Sequence, residues 1–177
     1  VSAMSWGFVP EWASQTRFTR PINARSETAH EKPMFRTAFS KQRCLVLCDG
    51  YYEWQRLSKG HKQPHYFSLP LGAPMILAGL WSSNDRLTGN VLETFCVLTV
   101  SASPVVNSVH HRMPVILDQG GQSAWLDPER RGEAALRPWL RPWEGGIEVF
   151  PVSTFVNSPA NNSAQCIQPL QADSAPV

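Results

Sequence analysis

The sequence predicts a β-rich fold with one hydrophobic core and only short helices. The chain has 177 residues, a usual length for a single domain. Its 15 prolines and 11 glycines are scattered along the chain and exclude long helices. Hydrophobic residues make up 42% and charged residues 17%, a composition that can fill a core and is not typical of a disordered chain.

Strands are predicted where short runs of β-branched, aromatic and apolar residues lie between turn residues. In chain order these runs are 43–48, 50–55, 65–69, 75–81, 92–101, 113–117 and 147–152. Helices are predicted at 33–40, 104–108, 122–126 and 129–140, and Pro138 is expected to end the last of them. We expect one domain over residues 1–170 and a flexible polar tail at 171–177.

Hydropathy indicates the cellular compartment of the protein, and charge indicates the kind of partner that it binds. No apolar run approaches the ~18 residues that cross a bilayer, and the first residues do not resemble a secretory signal, so we expect a cytoplasmic protein. Residues 1–62 carry a net charge of +5 and residues 63–177 one of −3, and Arg outnumbers Lys. This asymmetry fits either a nucleic-acid partner or an Arg-rich genome.

The cysteines predict neither a metal site nor a disulfide framework. Cys44, Cys48, Cys96 and Cys166 include no CxxC pair and are too widely spaced for a zinc site. The first three lie in apolar runs, where a thiol is usually a small buried hydrophobe. We expect no metal and no organic cofactor.

The segment 21–27 is the first candidate site. In an extended conformation Asn23, Arg25 and Glu27 would share one face, while Ile22, Ala24 and Ser26 would share the other. On one interpretation Asn23 holds a reacting group and Arg25 binds a phosphate. On the other, the segment is the solvated face of an ordinary half-buried strand.

A second candidate is Glu53, which lies among the aromatic residues Tyr51, Tyr52 and Trp54. Loss of hydration there would raise the pKa of the carboxyl group toward the range useful for a general acid or base. The same alternation also allows Glu53 to point outward while Tyr52 and Trp54 point inward.

Histidines and tryptophans supply two further candidates. His110 and His111 are too close in sequence to chelate one metal from a helix face, so acid/base chemistry is the better functional interpretation of His110. A loop His is otherwise often structural or merely exposed. Trp6 and Trp12 could stack on nucleic-acid bases. By default we expect Trp6 in the core and Trp12 exposed.

Taken in order, these segments resemble the SOS response-associated peptidase (SRAP) family, which acts on abasic sites in DNA. The resemblance runs from Trp6 to about Leu170 and rests on these motifs: Trp6-Gly7-Phe8-Val9-Pro10-x-Trp12, Ile22-Asn23-Ala24-Arg25-x-Glu27-Thr28, Arg43-Cys44-Leu45, Asp49-Gly50-Tyr51-Tyr52-Glu53-Trp54, Lys62-Gln63-Pro64, Ala78-Gly79-Leu80-Trp81, His110-His111-Arg112-Met113-Pro114 and Pro151-Val152-Ser153 with Val156-Asn157.

The resemblance implies an α/β fold with a β-barrel-like mixed sheet, short flanking helices and a groove for single-stranded DNA. Family members use the Cys exposed after removal of the initiator Met. Its amine and thiol condense with the aldehyde of a ring-opened abasic sugar to give a reversible thiazolidine crosslink. We therefore expect a monomeric, nucleoid-associated enzyme with a lyase-like activity, which also removes its own N-terminal Met.

The resemblance also assigns roles to residues. Asn23 would position the reacting N-terminus, Glu53 would move protons to and from the sugar oxygen and the amine, and His110 would assist ring opening and reversal. Arg25 and Arg112 would bind phosphates, and Trp12 or the neighbouring Trp6 would stack on the bases or wedge them apart.

Two features depart from the family pattern. The nucleophilic Cys would precede Val1, so we expect the chain beginning at Val1 to be inactive without the preceding residues. His111 stands where the family commonly has Asp, which bears on the orientation of His110.

Two other functions are compatible with the same residues. The first is a non-covalent binder of single-stranded DNA that shares the fold and lacks the nucleophile. The second is a conventional cysteine peptidase that uses Cys48 or Cys96 with His110 and Glu53. Apolar surroundings argue against the peptidase, because they do not favour a thiolate.

Overall fold

The computed structural model describes residues 1–14, 19–87 and 89–171, so most of the predicted tail, residues 172–177, lies outside the described part. Short strands predominate, as the proline and glycine content predicts. The strands in the described part are β1 (Ser5–Trp6), β2 (Asn23–Arg25), β3 (Arg43–Cys48), β4 (Gly50–Arg56), β5 (Lys62–Ser68), β6 (Met75–Asn84), β7 (Leu92–Ser101), β8 (Arg112–Pro114) and β9 (Glu148–Pro151).

The helices are short and lie between these strands. The α-helices are α1 (Ser26–Ala29), α2 (Arg36–Lys41), α3 (Pro104–Asn107), α4 (Gln119–Leu126) and α5 (Glu133–Leu136). Single 3-10 turns occur at Ser58–Gly60, Pro70–Gly72, Arg137–Trp139, Thr154–Asn157 and Ala164–Ile167. None of the helices in the described ranges is long and apolar enough to cross a membrane.

The described residues group into two compact units. The first unit comprises residues 1–47, 76–101 and 113–143, and the second comprises 48–75, 102–112 and the residues from 144 onward. Each unit is therefore assembled from three separate stretches of chain. The expectation of one domain over residues 1–170 stays a prediction.

The first unit contains a mixed, curled sheet. Its strands follow the order β1-β7-β6-β3, and β2 and β8 also pair with β7. Strands β1 and β2 both run parallel to β7, with Asn23 opposite Val97 and Arg25 opposite Thr99, whereas β6 is antiparallel to β7. The mixed α/β fold class that the resemblance implies is confirmed.

Arg43 joins two helix ends in this unit. Its Nε donates to the carbonyl of Trp125 and its Nη2 to that of Asp127, both at 2.6 Å. Its Nη1 donates to Phe39 and Ser40 at 3.0 Å. The last carbonyls of a helix lack intrahelical donors and carry partial negative charge, so one guanidinium satisfies the C-terminal ends of both α2 and α4.

The second unit contains an antiparallel sheet in the order β4-β5-β9. Tyr51 of β4 stacks on its cross-strand neighbour Phe67 with ring centroids 4.8 Å apart. Strand β4 begins at Gly50, where a Cβ atom would lie 2.2 Å from the carbonyl oxygen of Phe67. Only glycine lets the two backbones approach this closely, and this fixes the register of β4 on β5.

Element boundaries differ from the prediction where turns intervene. The predicted strand 113–117 is regular only over Arg112–Pro114, and Ile116 adds an isolated bridge to Leu77. The predicted helix 129–140 begins only at Glu133, because Gly132 at φ +85° is not helical. The α-helix ends at Leu136, before Pro138, which lies inside the 3-10 turn Arg137–Trp139 that continues it.

Candidate active site

Two of the predicted site residues, Glu53 and His110, meet in the second unit. Glu53 lies in the middle of β4, and His110 lies in the loop between α3 and β8. Glu53 Oε1 is 3.5 Å from His110 Nδ1, and the side chains are 26% and 32% exposed. The carboxyl group of Glu53 is therefore neither fully solvated nor fully buried.

Burial raises the pKa of Glu53 above its ordinary value. The nearby charge of His110 and a hydrogen bond from the Trp54 backbone N–H act in the opposite direction. A carboxyl group with a raised pKa can hold or release a proton closer to neutral pH. This is the property that the sequence predicts for Glu53.

The His110 ring is held so that either protonation state of Nδ1 finds a partner. The Arg112 N–H lies 3.2 Å from Nδ1, where it can donate to a deprotonated nitrogen. The Arg112 carbonyl lies 3.1 Å away and the Glu53 carboxylate 3.5 Å away, where either can accept from Nδ1–H. Because a donor and two acceptors surround the same nitrogen, Nδ1 finds a hydrogen-bond partner in either tautomer of the ring.

The two residues that follow His110 also belong to the second unit. His111 is exposed, and its ring centroid lies 4.5 Å from that of His110. The effect of His111 on the orientation of His110 stays a prediction. Arg112 is half-buried and follows directly in the chain.

His65 is a residue of this site that the sequence analysis missed. It lies directly opposite Glu53 in the β4–β5 ladder and is half-buried. Its Nδ1 is 3.2 Å from the carbonyl of Gln63. The alternating polar residues Gln63 and His65 on β5 were the available signal, but locating His65 opposite Glu53 requires the register of the two strands.

The first unit carries the predicted residues Asn23 and Arg25. Both are exposed on β2, on either side of the buried Ala24, as the alternation predicts. The common face is shorter than expected, because the strand ends at Arg25 and Glu27 lies in helix α1. Ile22, expected on the inner face, is 46% exposed.

Trp6 and Trp12 are exposed in the first unit, at 58% and 52%. The default expectation of a buried Trp6 is wrong, because β1 lies at the end of the sheet order and leaves one ring face uncovered. The other face stacks on Phe95, and the indole N–H donates to the carbonyl of Ile22 at 2.9 Å. The predicted exposure of Trp12 is confirmed.

The turn that carries Trp12 is fixed by one buried side chain. Asn84 Nδ2 donates to the carbonyls of Pro10 and Ala13, each at 2.8 Å, and Oδ1 accepts from Arg86 and Leu87. An exposed indole is therefore presented on a rigid turn, which lowers the entropic cost of stacking on a partner.

The thiols lack the features of a nucleophile. Burial raises the pKa of Cys44 to about 11 and that of Cys96 to about 12. Burial also raises the pKa of Cys48. All four cysteines are free thiols. Within the described residues, no group of three or more His, Cys, Asp or Glu side chains could hold a metal ion.

Comparisons with known proteins agree on one family. The model of the family "SOS response associated peptidase (SRAP)" matches residues 1–159. Abasic site processing protein YoqW of Bacillus subtilis is 35% identical over 170 residues, which cover 95% of this chain and 76% of that protein. Abasic site processing protein HMCES of Gallus gallus is 34% identical over 200 residues, covering 95% and 57%. A crystal structure of a protein from Bacteroides thetaiotaomicron superposes with a TM-score of 0.85 at 28% identity, covering 95% and 76%.

Proposed function

The chain belongs to the SOS response associated peptidase family, and on that basis we propose that it processes abasic sites in DNA. The observation that carries the proposal is the distance of 3.5 Å between the half-buried Glu53 and His110. The two residues form an acid/base pair, and each lies in one of the motifs that resemble the family. The names of the curated relatives support the substrate.

The proposed reaction is a reversible condensation. The α-amine of an N-terminal Cys upstream of Val1 attacks the aldehyde carbon of the ring-opened sugar, a C–N bond forms, and water leaves to give an imine. The thiol sulfur then adds to the imine carbon, and its proton passes to nitrogen, which closes a thiazolidine. Removal of the initiator Met by the protein itself exposes the reacting amine.

The residues of this chain supply proton transfer and binding. Glu53 passes a proton to the sugar ring oxygen as the ring opens and accepts one from the amine, while His110 assists ring opening and reversal. Asn23 positions the amine. The guanidinium groups of Arg25 and Arg112 bind phosphates of single-stranded DNA, and the indoles of Trp6 and Trp12 stack on bases.

The test is incubation of the full-length protein with a single-stranded oligonucleotide that contains one abasic site. We expect an adduct that survives denaturing electrophoresis and is lost when the N-terminal Cys is replaced by Ala. An oligonucleotide with a tetrahydrofuran spacer, which has no aldehyde, is the control. Absence of the adduct, or an adduct that persists without the Cys, contradicts the proposal.

A non-covalent single-strand binder is the second candidate, favoured by the exposed Trp6, Trp12 and Arg25. This candidate predicts that the affinity of the protein for single-stranded DNA falls steeply as the salt concentration rises. It also predicts that Arg25→Ala and Arg112→Ala each lower this affinity by a similar factor for every DNA sequence. Arg130→Ala is the control, because Arg130 is already paired with Asp127 at 3.3 Å. Affinity that is unchanged at high salt counts against this candidate.

A further inference from the structure

We propose that Gln55 is a positioning residue for His110. Its side-chain amide fixes the loop that carries His110 against strand β4, and it thereby sets the distance between the imidazole and Glu53. This inference rests on the proposed function of the Glu53–His110 pair.

The first argument is a direct contact within the second unit. Gln55 Nε2 donates to the carbonyl oxygen of Ser108 at 3.0 Å. Ser108 stands two residues before His110 and directly after helix α3. The Gln55 amide therefore holds a backbone atom of the loop at the point from which the chain runs on to the imidazole.

The second argument is the weakness of the loop by itself. Helix α3 is one turn long, and a helix of this length is not stable without tertiary contacts. Local bonds close the turn: Ser108 Oγ donates to Val105 O at 2.8 Å, and the His110 N–H donates to Val106 O at 2.9 Å. These bonds give the turn its shape but do not attach it to the strand that carries Glu53.

The third argument is geometric. Glu53 and Gln55 are separated by one residue on β4, so their side chains leave the same face of the strand about 7 Å apart. Pairing with His65 and Gln63 of β5 fixes both positions. One strand face thus contacts the imidazole through Glu53 and the loop backbone through Gln55, and two attachments on a rigid strand fix both position and orientation.

The chain offers a matched control in Gln63. This residue lies opposite Gln55 in the β4–β5 ladder, so the same substitution removes the same amide from the same place in the sheet. Its Nε2 donates instead to the carbonyls of Pro64 at 2.9 Å and Val152 at 2.8 Å. Neither acceptor belongs to the loop that carries His110.

The experiment compares Gln55→Met with Gln63→Met in the full-length protein. Without DNA, carboxyl NMR measures the titration of Glu53. The neighbouring groups Tyr51, His65 and His110 are present in both variants, so they do not distinguish them. Amide hydrogen exchange measures the protection of the Val109 and His110 N–H groups. We expect Gln55→Met to raise the pKa of Glu53 further, because the His110 charge is no longer held beside it, and to speed exchange at both amides about tenfold. Release of the DNA adduct should slow about tenfold. Gln63→Met should change none of these.

The proposal is overturned if Gln55→Met leaves both the Glu53 titration and the loop exchange unchanged, or if the two variants change them equally. Should Gln55→Met fail to fold, Gln55→Lys retains an N–H donor of similar reach and should keep the Val109 and His110 amides protected. Rapid exchange in a folded Gln55→Lys would also contradict the proposal. The NMR measurements need no DNA, so a missing adduct would contradict the proposed function without deciding the role of Gln55.

Discussion

At the scale of a single residue, the burial of the Glu53 carboxyl group lowers stability but favours chemistry. Burial disfavours its charged form, and the partial compensation by His110 does not reverse the direction of its pKa shift. A folded protein that holds this carboxyl group ionised at neutral pH is therefore less stable than one with a neutral group there. The same shift makes the group useful for proton transfer.

The effect of Glu53 on the pH dependence of stability can be measured with Glu53→Gln. Because the pKa is raised in the folded state, the folded chain retains the proton more strongly, and stability falls as pH rises from the ordinary Glu pKa through the raised one. Glutamine cannot ionise, so the variant should gain stability relative to the wild type between about pH 4 and about pH 8. Denaturant unfolding at both pH values measures the difference, and Glu148→Gln on the exposed end of β9 is the control. A stability difference that does not depend on pH would contradict the prediction.

Kinetics should separate the two members of the pair. Glu53→Gln should slow adduct formation about 100-fold, because a positioned general acid or base contributes at least this factor. His110→Ala should mainly slow release, which is measured by chasing a preformed adduct with excess competitor DNA. Equal effects of both variants on both steps would contradict the assignment of separate roles.

The order of residues in the sequence was enough to predict that Glu53 is partly desolvated, while the roles of Glu53 and His110 in a site stay predictions. An acidic residue among aromatics indicates desolvation, and the predicted burial is observed. The exposure of Trp6 and the place of His65 were not predictable in this way. The first depends on which strand ends the sheet order, and the second on cross-strand register, and neither is a local property of the sequence.

At the scale of elements, Arg43 makes the ends of helices α2 and α4 depend on one side chain. Arg43→Met should lower the free energy of unfolding by about 2–4 kcal/mol, since four backbone carbonyls lose a charged donor. Urea denaturation measures the loss. Arg131→Met, which removes one exposed bond to the Pro128 carbonyl, should cost no more than about 0.5 kcal/mol. A similar loss in both variants would show that Arg43 does not act through these carbonyls.

The sequence predicts strands better than helix boundaries in this chain. Each predicted strand contains or overlaps an observed one, because apolar runs between turn residues are a local signal. The helices are four to eight residues long, and their start points depend on backbone conformations such as that of Gly132. Propensity alone cannot place such short helices, since tertiary contacts supply most of their stability.

At the scale of the whole molecule, the interleaved chain predicts cooperative unfolding. Neither compact unit is a continuous stretch, so neither can be cut out without joining three separate pieces. We expect one unfolding transition, as the prediction of a single domain requires. Amide exchange under increasing denaturant should give the same opening free energy in β5 and in β7. Separate transitions for the two strands would contradict the single domain.

The parallel pairing of β1 and β2 with β7 has a consequence for the order of folding. Ser5 pairs with Thr94 and Arg25 pairs with Thr99, so partners that lie side by side in the sheet are separated by more than a third of the chain. Contacts between residues so distant in sequence form slowly, because a long loop must close first. During synthesis on the ribosome, Asn23 and Arg25 must therefore remain without their native partners until β7 has emerged.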